Sequence, residues 1–193
     1  DGDVPNTMVS KLAGGTITVD GDISEWENIG SEIAMDGASL TTGDEILHDA
    51  YKDVFDVLMC KIAWTDEGIY FAFNIYDNKL DFKTIANFWE GDCAEFFLST
   101  VTDMPNADFQ LFKNDGDVLQ MSVVPSWNPC YTVVESRTNA AIAAGRAHIS
   151  AAAALRSDGY SGEVFLPFSL FQTAKTSIDE GKSIAMAFVF MDG

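Results

Sequence analysis

Three acidic residues stand close together in the stretch "NFWEGDCAEFFLST", and their types and spacing suit a defined chemistry. Glu90, Asp92 and Glu95 follow the pattern E-x-D-x-x-E. Two carboxylates can hydrolyse a glycosidic bond as nucleophile and acid/base when they lie about 5 to 9.5 Å apart. The pattern therefore supports the hypothesis of a glycoside hydrolase that uses these three residues.

Strand geometry argues against this catalytic arrangement. In a regular strand Glu90 and Asp92 share one face and Glu95 takes the other, so the three acids converge only across a β-bulge. Gly91 is typical of the turn that enters a strand. We therefore interpret Glu90 and Asp92 as solvated loop acids. Glu95 is the inward acid of an otherwise apolar strand, where its carboxylate needs donors from the protein or from ligand hydroxyls.

Aromatic residues near this strand point to binding. Trp89 precedes the strand in a predicted loop, and Trp127 and Tyr131 lie in the loop-like stretch "SWNPCY". Exposed loop aromatics reduce solubility unless they contact a ligand, and flat rings suit the apolar C–H faces of sugars. Trp26 and Trp64 have apolar neighbours, so we expect them in the core.

Metal and haem signals in the sequence are weak. His48 and His148 have no neighbouring Cys, His or Asp at zinc-binding spacing. Seven methionines leave open an alternative in which methionine and histidine hold a b-type haem, although no local motif supports it. Aspartate-rich turns such as "VDGD" and "NDGD" could bind calcium through oxygen atoms, but none has the EF-hand spacing.

The elements that must position these residues are mostly strands. Turn signals recur at a spacing typical of a β-sandwich or barrel, and residues 57–78 predict a hairpin joined at 65–68. Further strands are predicted in "TITVDG", "CAEFFLST", "ADFQLFKNDGDVLQMSVV", "YTVVESR", "GYSGEVFLPF" and "SIAMAFVF". We predict an all-β fold, a jelly-roll-like antiparallel β-sandwich, formed by a single domain over residues 1–193.

Few segments predict helices. The stretches "DISEWENIG" and "PFSLFQTA" predict two short helices, because Asp22 or Ser24 can cap the first and Pro167 suits the first turn of the second. Residues 35–56 are polar and poorly periodic, which predicts a long loop with one helical turn around 45–51. The alanine-rich stretch "NAAIAAGRAHISAAAAL" contains Gly145 and β-branched residues, so we predict strands there.

Composition excludes several classes of partner. The 193 residues are 47% hydrophobic, which suffices for one core, and their formal charge of −19 repels nucleic acids and anionic membranes. No run of about eighteen apolar residues occurs. The N-terminus lacks the regions of a signal peptide, so we expect any export signal to have been removed. The three cysteines show no CxxC spacing and are predicted to be buried free thiols.

The order of six pieces carries a resemblance to a known family. They are "ITVDGDISEWENI", "KIAWTDEGIYFAFNIYDN", "FWEGDCAEFFLST", "ADFQLF", "DGYSGEVFLPFSLF" and "GKSIAMAFVFMD". Together they span Gly15 to Asp192, and the chain resembles the family 9 carbohydrate-binding modules. The wider sandwich superfamily includes haem- and sugar-binding DOMON-like domains.

The resemblance implies a binding module rather than an enzyme. Such a module would be secreted by a bacterium, stabilised by calcium and tethered to other modules, and would target an appended enzyme or complex to plant cell-wall polysaccharide such as cellulose or xylan. It implies that Trp89 forms one side of an aromatic clamp around a sugar and that Glu95 bonds the sugar hydroxyls. Gln110 takes the place of a sugar-binding arginine, and Asp77 is similar to a residue of a calcium region.

One departure from the family concerns the second wall of the clamp. Family members usually continue past the strand "FVFMD" with a segment that supplies a second tryptophan, whereas this chain stops at Gly193. The resemblance therefore implies a C-terminal truncation, a true absence of that segment, or a substitute aromatic. Trp127 and Tyr131 are the expected substitutes.

Overall fold

The computed structural model describes residues 7–33, 41–42, 45–46, 53–101, 115–125, 130–135 and 137–193. Its strands are β1 (Ser31–Glu32), β2 (Thr41–Thr42), β3 (Glu45–Ile46), β4 (Phe55–Trp64), β5 (Gly68–Asp77), β6 (Cys93–Ser99), β7 (Val118–Val124), β8 (Tyr131–Val134), β9 (Ser150–Arg156), β10 (Gly159–Pro167) and β11 (Ala185–Met191). Two α-helices are α1 (Ala140–Ala144) and α2 (Gln172–Asp179). Short 3-10 helices cover Ser24–Glu27, Phe88–Glu90 and Arg146–His148.

The strands form two main antiparallel sheets. The five-stranded sheet has the order β1-β4-β5-β10-β9, and the four-stranded sheet has the order β11-β6-β7-β8. Strands β2 and β3 form a separate small pair. The all-β antiparallel prediction is confirmed.

Aromatic side chains between the two sheets make the core. Phe71 and Phe73 of β5 face Phe96 of β6, and the rings of Phe71 and Phe96 stack with centroids 5.4 Å apart. Leu98 and Leu119 of the four-stranded sheet are buried in the same cluster. Burial of large apolar side chains from both sheets is the main force that holds a sandwich together.

The predicted hairpin at 57–78 is confirmed as β4 and β5. The Thr65 amide donates to the Gly68 carbonyl at 2.9 Å, and the Glu67 amide donates to the Thr65 hydroxyl at 3.1 Å. These bonds close the connection, as the turn signal predicted.

The outer face of the five-stranded sheet is covered by the N-terminal segment. Trp26, in the first 3-10 helix, is fully buried against Ala63, Tyr70 and Ala72. Its indole donates to the Glu163 carboxylate of β10 at 2.8 Å, and the same carboxylate accepts from two backbone amides of the segment 20–21 at 3.1 and 3.0 Å. Three donors therefore satisfy a fully buried acid and fasten the segment to the sheet.

The helix predictions are partly wrong. The alanine-rich stretch begins as helix α1, because Asn139 accepts a capping hydrogen bond from the Ala141 amide at 2.8 Å, and becomes strand only at Ser150. Helix α2 begins five residues after Pro167, which instead ends β10. The helical turn expected at 45–51 is wrong for Glu45–Ile46, which form β3. The remainder of that turn, 47–51, lies outside the described residues.

The predicted burial is confirmed for two of the three cysteines. Cys60 and Cys93 are buried free thiols, and Cys130 is a half-buried free thiol. Among the described helices, none is long and apolar enough to span a bilayer.

Replacing Glu163 with glutamine should destabilise the fold. We expect Glu163→Gln to lower the free energy of unfolding by about 1–3 kcal/mol, because an amide nitrogen cannot accept the hydrogen bonds that a carboxylate oxygen accepts. Urea unfolding measures the loss. Glu27→Gln, which changes an exposed side chain in the Trp26 helix, is the control. Equal losses in the two variants would contradict the structural role of Glu163.

The same variant should alter the pH dependence of stability. Burial raises the pKa of Glu163, although its three donors act in the opposite direction. A carboxyl with a raised folded pKa stabilises the fold most below its unfolded pKa, and this contribution is lost as pH rises through the folded pKa. The stability gap between the wild type and Glu163→Gln should therefore narrow over the pH range above about 4.3, the ordinary pKa of a glutamate. A gap that widens over this range in urea unfolding would overturn the expectation.

Candidate functional site

The outer face of the four-stranded sheet holds the residues that sequence analysis singled out in β6. Ala94, Phe96 and Leu98 point into the core between the sheets. Because side chains alternate along a strand, Glu95 and Phe97 point to the opposite, outer face. The expectation that Glu95 points inward is therefore wrong. Glu95 is nevertheless only 8% exposed on its outer face.

A neighbouring strand supplies the donor that Glu95 requires. The side-chain amide of Gln120 on β7 donates to the Glu95 carboxylate at 2.6 Å. Ser122 lies directly opposite Glu95 in the register of β6 and β7. The Glu135 amide donates to the Gln120 carbonyl at 2.8 Å, which brings the end of β8 alongside. We name Glu95, Gln120, Ser122 and Glu135 the polar row.

The polar row contains buried atoms without hydrogen-bond partners. Among the described residues, none pairs with the Ser122 hydroxyl or with one carboxylate oxygen of Glu135. Burial and the charge of Glu95 raise the pKa of Glu135, while Arg137 acts in the opposite direction. Ser122 is fully buried beneath the face, whereas Gln120 and Glu135 are half-buried. The row therefore presents more hydrogen-bonding capacity than the described residues use.

Trp89 lies at the end of this face where β6 begins. The 3-10 helix Phe88–Glu90 buries Phe88 in a small cluster with Cys93 and Val124. The Trp89 ring meets the Phe88 ring edge-on, with centroids 5.3 Å apart, and remains 54% exposed. An exposed indole on a fixed base is therefore held next to the strand that carries Glu95.

Asp92 differs from the prediction of a solvated loop acid, which is wrong. It is fully buried, and its two carboxylate oxygens accept from the backbone amides of Asp81 and Gly193. Gly91 permits this close approach, since a Cβ atom there would come within 2.3 Å of the Asp81 carbonyl oxygen. Packing therefore requires a glycine at position 91.

Two further aspartates converge on Asp92. Oxygen atoms of Asp77, Asp92 and Asp192 all lie within 4.8 Å of one another. One oxygen of the fully buried Asp77 has no hydrogen-bond partner among the described residues, and neither does the buried hydroxyl of Tyr160. Burial raises the pKa of Asp92 to about 6, and the charges of Asp77 and Asp192 add to this rise. Hard cations prefer oxygen ligands. The three close carboxylates, one of which has an oxygen without a hydrogen-bond partner among the described residues, are ligands of this kind.

Several predicted ligand residues lie at other places or outside the described residues. Gln110 and Trp127 are outside them, as is His48. Tyr131 begins β8 opposite Val124, and its side chain is not described. His148 is exposed in a 3-10 helix. The structure therefore places Trp89 in the 3-10 helix that precedes β6, which carries Glu95, and separately places Asp77 in the aspartate cluster.

Comparison with known families identifies the chain. A family model described as "Carbohydrate family 9 binding domain-like" matches residues 56–193, which is more than half of the sequence. The chain belongs to this family. A comparison with curated protein sequences found no match.

Two solved structures share the fold of this carbohydrate family 9 domain. Both are family 9 carbohydrate-binding modules from Caldicellulosiruptor kristjanssonii, one in complex with cellotriose and one with glucose. Each is 15% identical in sequence, and the TM-scores are 0.58 and 0.57. The similarity covers 95% of this chain and 76% and 79% of the two modules. The β-sandwich of this family is therefore preserved despite a distant sequence.

In this family 9 domain the three acids of the E-x-D-x-x-E pattern belong to different parts of the structure. Glu90 is exposed and accepts from the Asn87 side chain at 3.2 Å. Asp92 belongs to the aspartate cluster, and Glu95 belongs to the polar row. The β-bulge that the hydrolase hypothesis requires does not occur in β6, whose register with β7 and β11 is continuous. The pattern therefore reflects a loop that enters a strand.

Sequence analysis missed Gln120, Ser122 and Glu135, as well as the partners of Asp77. A signal for the first two was present, because Gln120 and Ser122 alternate with the apolar residues of "VLQMSVV". Such alternation marks one polar strand face. Asp92 and Asp192 carry no comparable signal, because the residues that meet are 100 positions apart in the chain.

Removing the donor to Glu95 should cost stability. We expect Gln120→Leu to lower the free energy of unfolding by about 1–3 kcal/mol, because the largely buried Glu95 carboxylate loses its hydrogen bond. The double variant Glu95→Leu/Gln120→Leu should recover part of this loss, since both polar partners are then absent. Urea unfolding of the wild type and three variants completes the cycle. Strictly additive losses would show that the two residues do not interact.

Proposed function

We propose that the protein is a non-catalytic carbohydrate-binding domain whose ligand lies on the outer face of the four-stranded sheet. The observation that carries the proposal is a 54% exposed Trp89 in the 3-10 helix just before β6, the strand whose Glu95 accepts from Gln120. An indole offers an apolar plane for a sugar ring, and the polar row offers partners for its hydroxyls. Membership of a family described as carbohydrate-binding supports this assignment.

The exposed apolar surface around the polar row suits a sugar more than a protein partner. Val189 of β11 lies opposite Glu95 and is 40% exposed, and the adjacent Ala187 is also exposed. These side chains and Trp89 add exposed apolar surface to a face with a polar centre. Pyranose rings likewise combine C–H faces and hydroxyl edges. Binding in the micromolar to millimolar range is expected from one stacked ring and a few hydroxyl bonds.

The wider setting follows from the same proposal. Cello-oligosaccharides and xylan are the first ligands to test, since cellotriose and glucose are bound by the two structurally similar modules. We infer that the domain is secreted by a bacterium and targets an appended enzyme or complex to plant cell-wall polysaccharide. Trp127 and Tyr131 are the proposed second wall of the aromatic clamp, and Gln110 is a proposed hydroxyl ligand.

Truncating Trp89 should weaken glycan binding. We expect Trp89→Ala to lower the affinity for cellotriose or xylotriose by about tenfold or more, because the ring stacking is lost. Isothermal titration calorimetry measures the change. Ile85→Ala is the matched control, since Ile85 is 60% exposed in the same loop. Unchanged affinity in Trp89→Ala would place the binding site elsewhere, and equal losses in both variants would show a nonspecific effect of the loop.

We also propose that Asp77, Asp92 and Asp192 hold a structural calcium ion. The fit rests on the orphaned oxygen of Asp77, which is fully buried beside two more carboxylates. Calcium prefers six to eight oxygen ligands, and each carboxylate can accept more than one contact. A bound calcium would neutralise the repulsion among the three acids and join the end of β5, the start of β6 and the C-terminal residues.

Calcium should raise the stability of the protein. At a free calcium concentration about 100 times Kd, the free energy of unfolding should rise by about 2.7 kcal/mol. For a chain of this length that corresponds to an increase in Tm of about 5 to 10 °C relative to chelator. Asp77→Asn should abolish the increase, whereas Asp115→Asn, at an exposed turn, should retain it. A wild-type Tm that does not respond to calcium would contradict the site.

A further inference from the structure

Two carboxylates flank one amide in the polar row, and this arrangement bears on which sugars the face can accept. The side-chain amide of Gln120 donates to the Glu95 carboxylate, and the backbone carbonyl of Gln120 accepts from the Glu135 backbone amide. The two acids are therefore neighbours on either side of one residue. Burial and the charge of Glu95 hold the pKa of Glu135 above its ordinary value, which agrees with their proximity.

Charge compensation near these two acids is small. Arg137 is the one cation whose charge acts on Glu135 among the described residues, and its side chain is exposed to solvent. Glu95 takes part in no ion pair within the described residues, and its carboxylate accepts a hydrogen bond from the neutral side-chain amide of Gln120. An ionised carboxylate accepts hydrogen bonds and donates none. A ligand that meets the row must therefore bring hydroxyl donors rather than further acceptors.

We propose that Glu135 is a specificity-determining residue that, with the Glu95 carboxylate positioned by Gln120, restricts this face to neutral sugars and excludes sugars that carry a carboxylate. This inference rests on the proposed function. Sugar hydroxyls donate to Glu95 and Glu135, while Gln120 holds the Glu95 carboxylate in place. A uronate group would instead bring a third negative charge into a partly desolvated row, where like charges repel strongly.

Ser122 is the fully buried member of the polar row. Its hydroxyl lies beneath the row, opposite Glu95, and has no hydrogen-bond partner among the described residues. Because Ser122 is not exposed, we assign it no contact with a ligand. The discrimination is therefore assigned to the charges of Glu95 and Glu135.

A matched pair of ligands tests the discrimination. The probes are cellotriose and the same trisaccharide with its C6 hydroxymethyl groups oxidised to carboxylates, measured by calorimetry on the wild-type protein. We expect cellotriose to bind about tenfold tighter or more. Raising the salt to about 1 M screens the long-range repulsion from the net charge of −19, and part of the preference should remain. Equal affinity for the two probes would overturn the inference.

Two variants assign the effect to the row. Glu135→Gln removes one charge at nearly constant shape and should reduce the preference at least about threefold, whereas Glu135→Asp keeps the charge and should retain it. Glu32→Gln removes an exposed charge from the five-stranded sheet and is the control for net charge. Equal changes in Glu135→Gln and Glu32→Gln would overturn the assignment. Failure of both trisaccharides to bind would instead reject the proposed function itself.

Discussion

The buried carboxylate of Asp92 connects the parts of the protein on which the candidate site depends. Its oxygens accept from the backbone of Asp81 and of Gly193, and its own amide donates to the Asp81 carbonyl at 3.1 Å. The loop closed by these bonds contains Trp89. The position of the exposed indole relative to β6 is therefore set by one acid that a bound sugar does not need to touch. Loss of the hydrogen bonds that Asp92 makes would change the site without removing a sugar-binding residue.

Buried acids on the two outer sheet faces have contrasting surroundings. Glu163 has three donors from the N-terminal segment and is fully enclosed, so its hydrogen-bonding capacity is largely used by the fold. Glu95 has one donor from Gln120, and its neighbour Glu135 retains an unpaired oxygen among the described residues. An acid that the fold satisfies stabilises structure, and acids that it leaves under-satisfied suit a ligand.

Much of the fold could be predicted from the sequence because it depends on local patterns. The hairpin of β4 and β5 follows from alternation and turn chemistry around Thr65, and the alternation in β6 correctly places Cys93, Glu95 and Phe97 on one face. The identity of the core face could not be predicted, because both faces of β6 are rich in apolar residues. Local pattern distinguishes the two faces of a strand, but only the opposite sheet determines which one is buried.

Long-range partners account for the errors in the site. Asp92 resembles a loop acid when only its neighbours are considered, and it becomes a buried cluster member through Asp77 and Asp192. The wrong strand prediction at the start of the alanine-rich stretch has a local cause instead. The Asn139 side chain caps helix α1 and favours the helix over the predicted strand. Trp89 and Glu95 could be predicted as one site because they lie in the same short stretch of the sequence. The contribution of Gln120 depends on strand register, which single-sequence patterns do not determine.

The N-terminal segment that covers the five-stranded sheet also limits the valency of the domain. With Trp26 packed over that sheet, the outer face of the four-stranded sheet is the one left for a polymer among the described elements. Under the proposed function, one domain would then bind a polysaccharide at one place, with the fast release expected of millimolar to micromolar contacts. Lasting attachment to an insoluble surface would come from several linked copies, whose combined avidity can exceed a single affinity by about 10² to 10⁴.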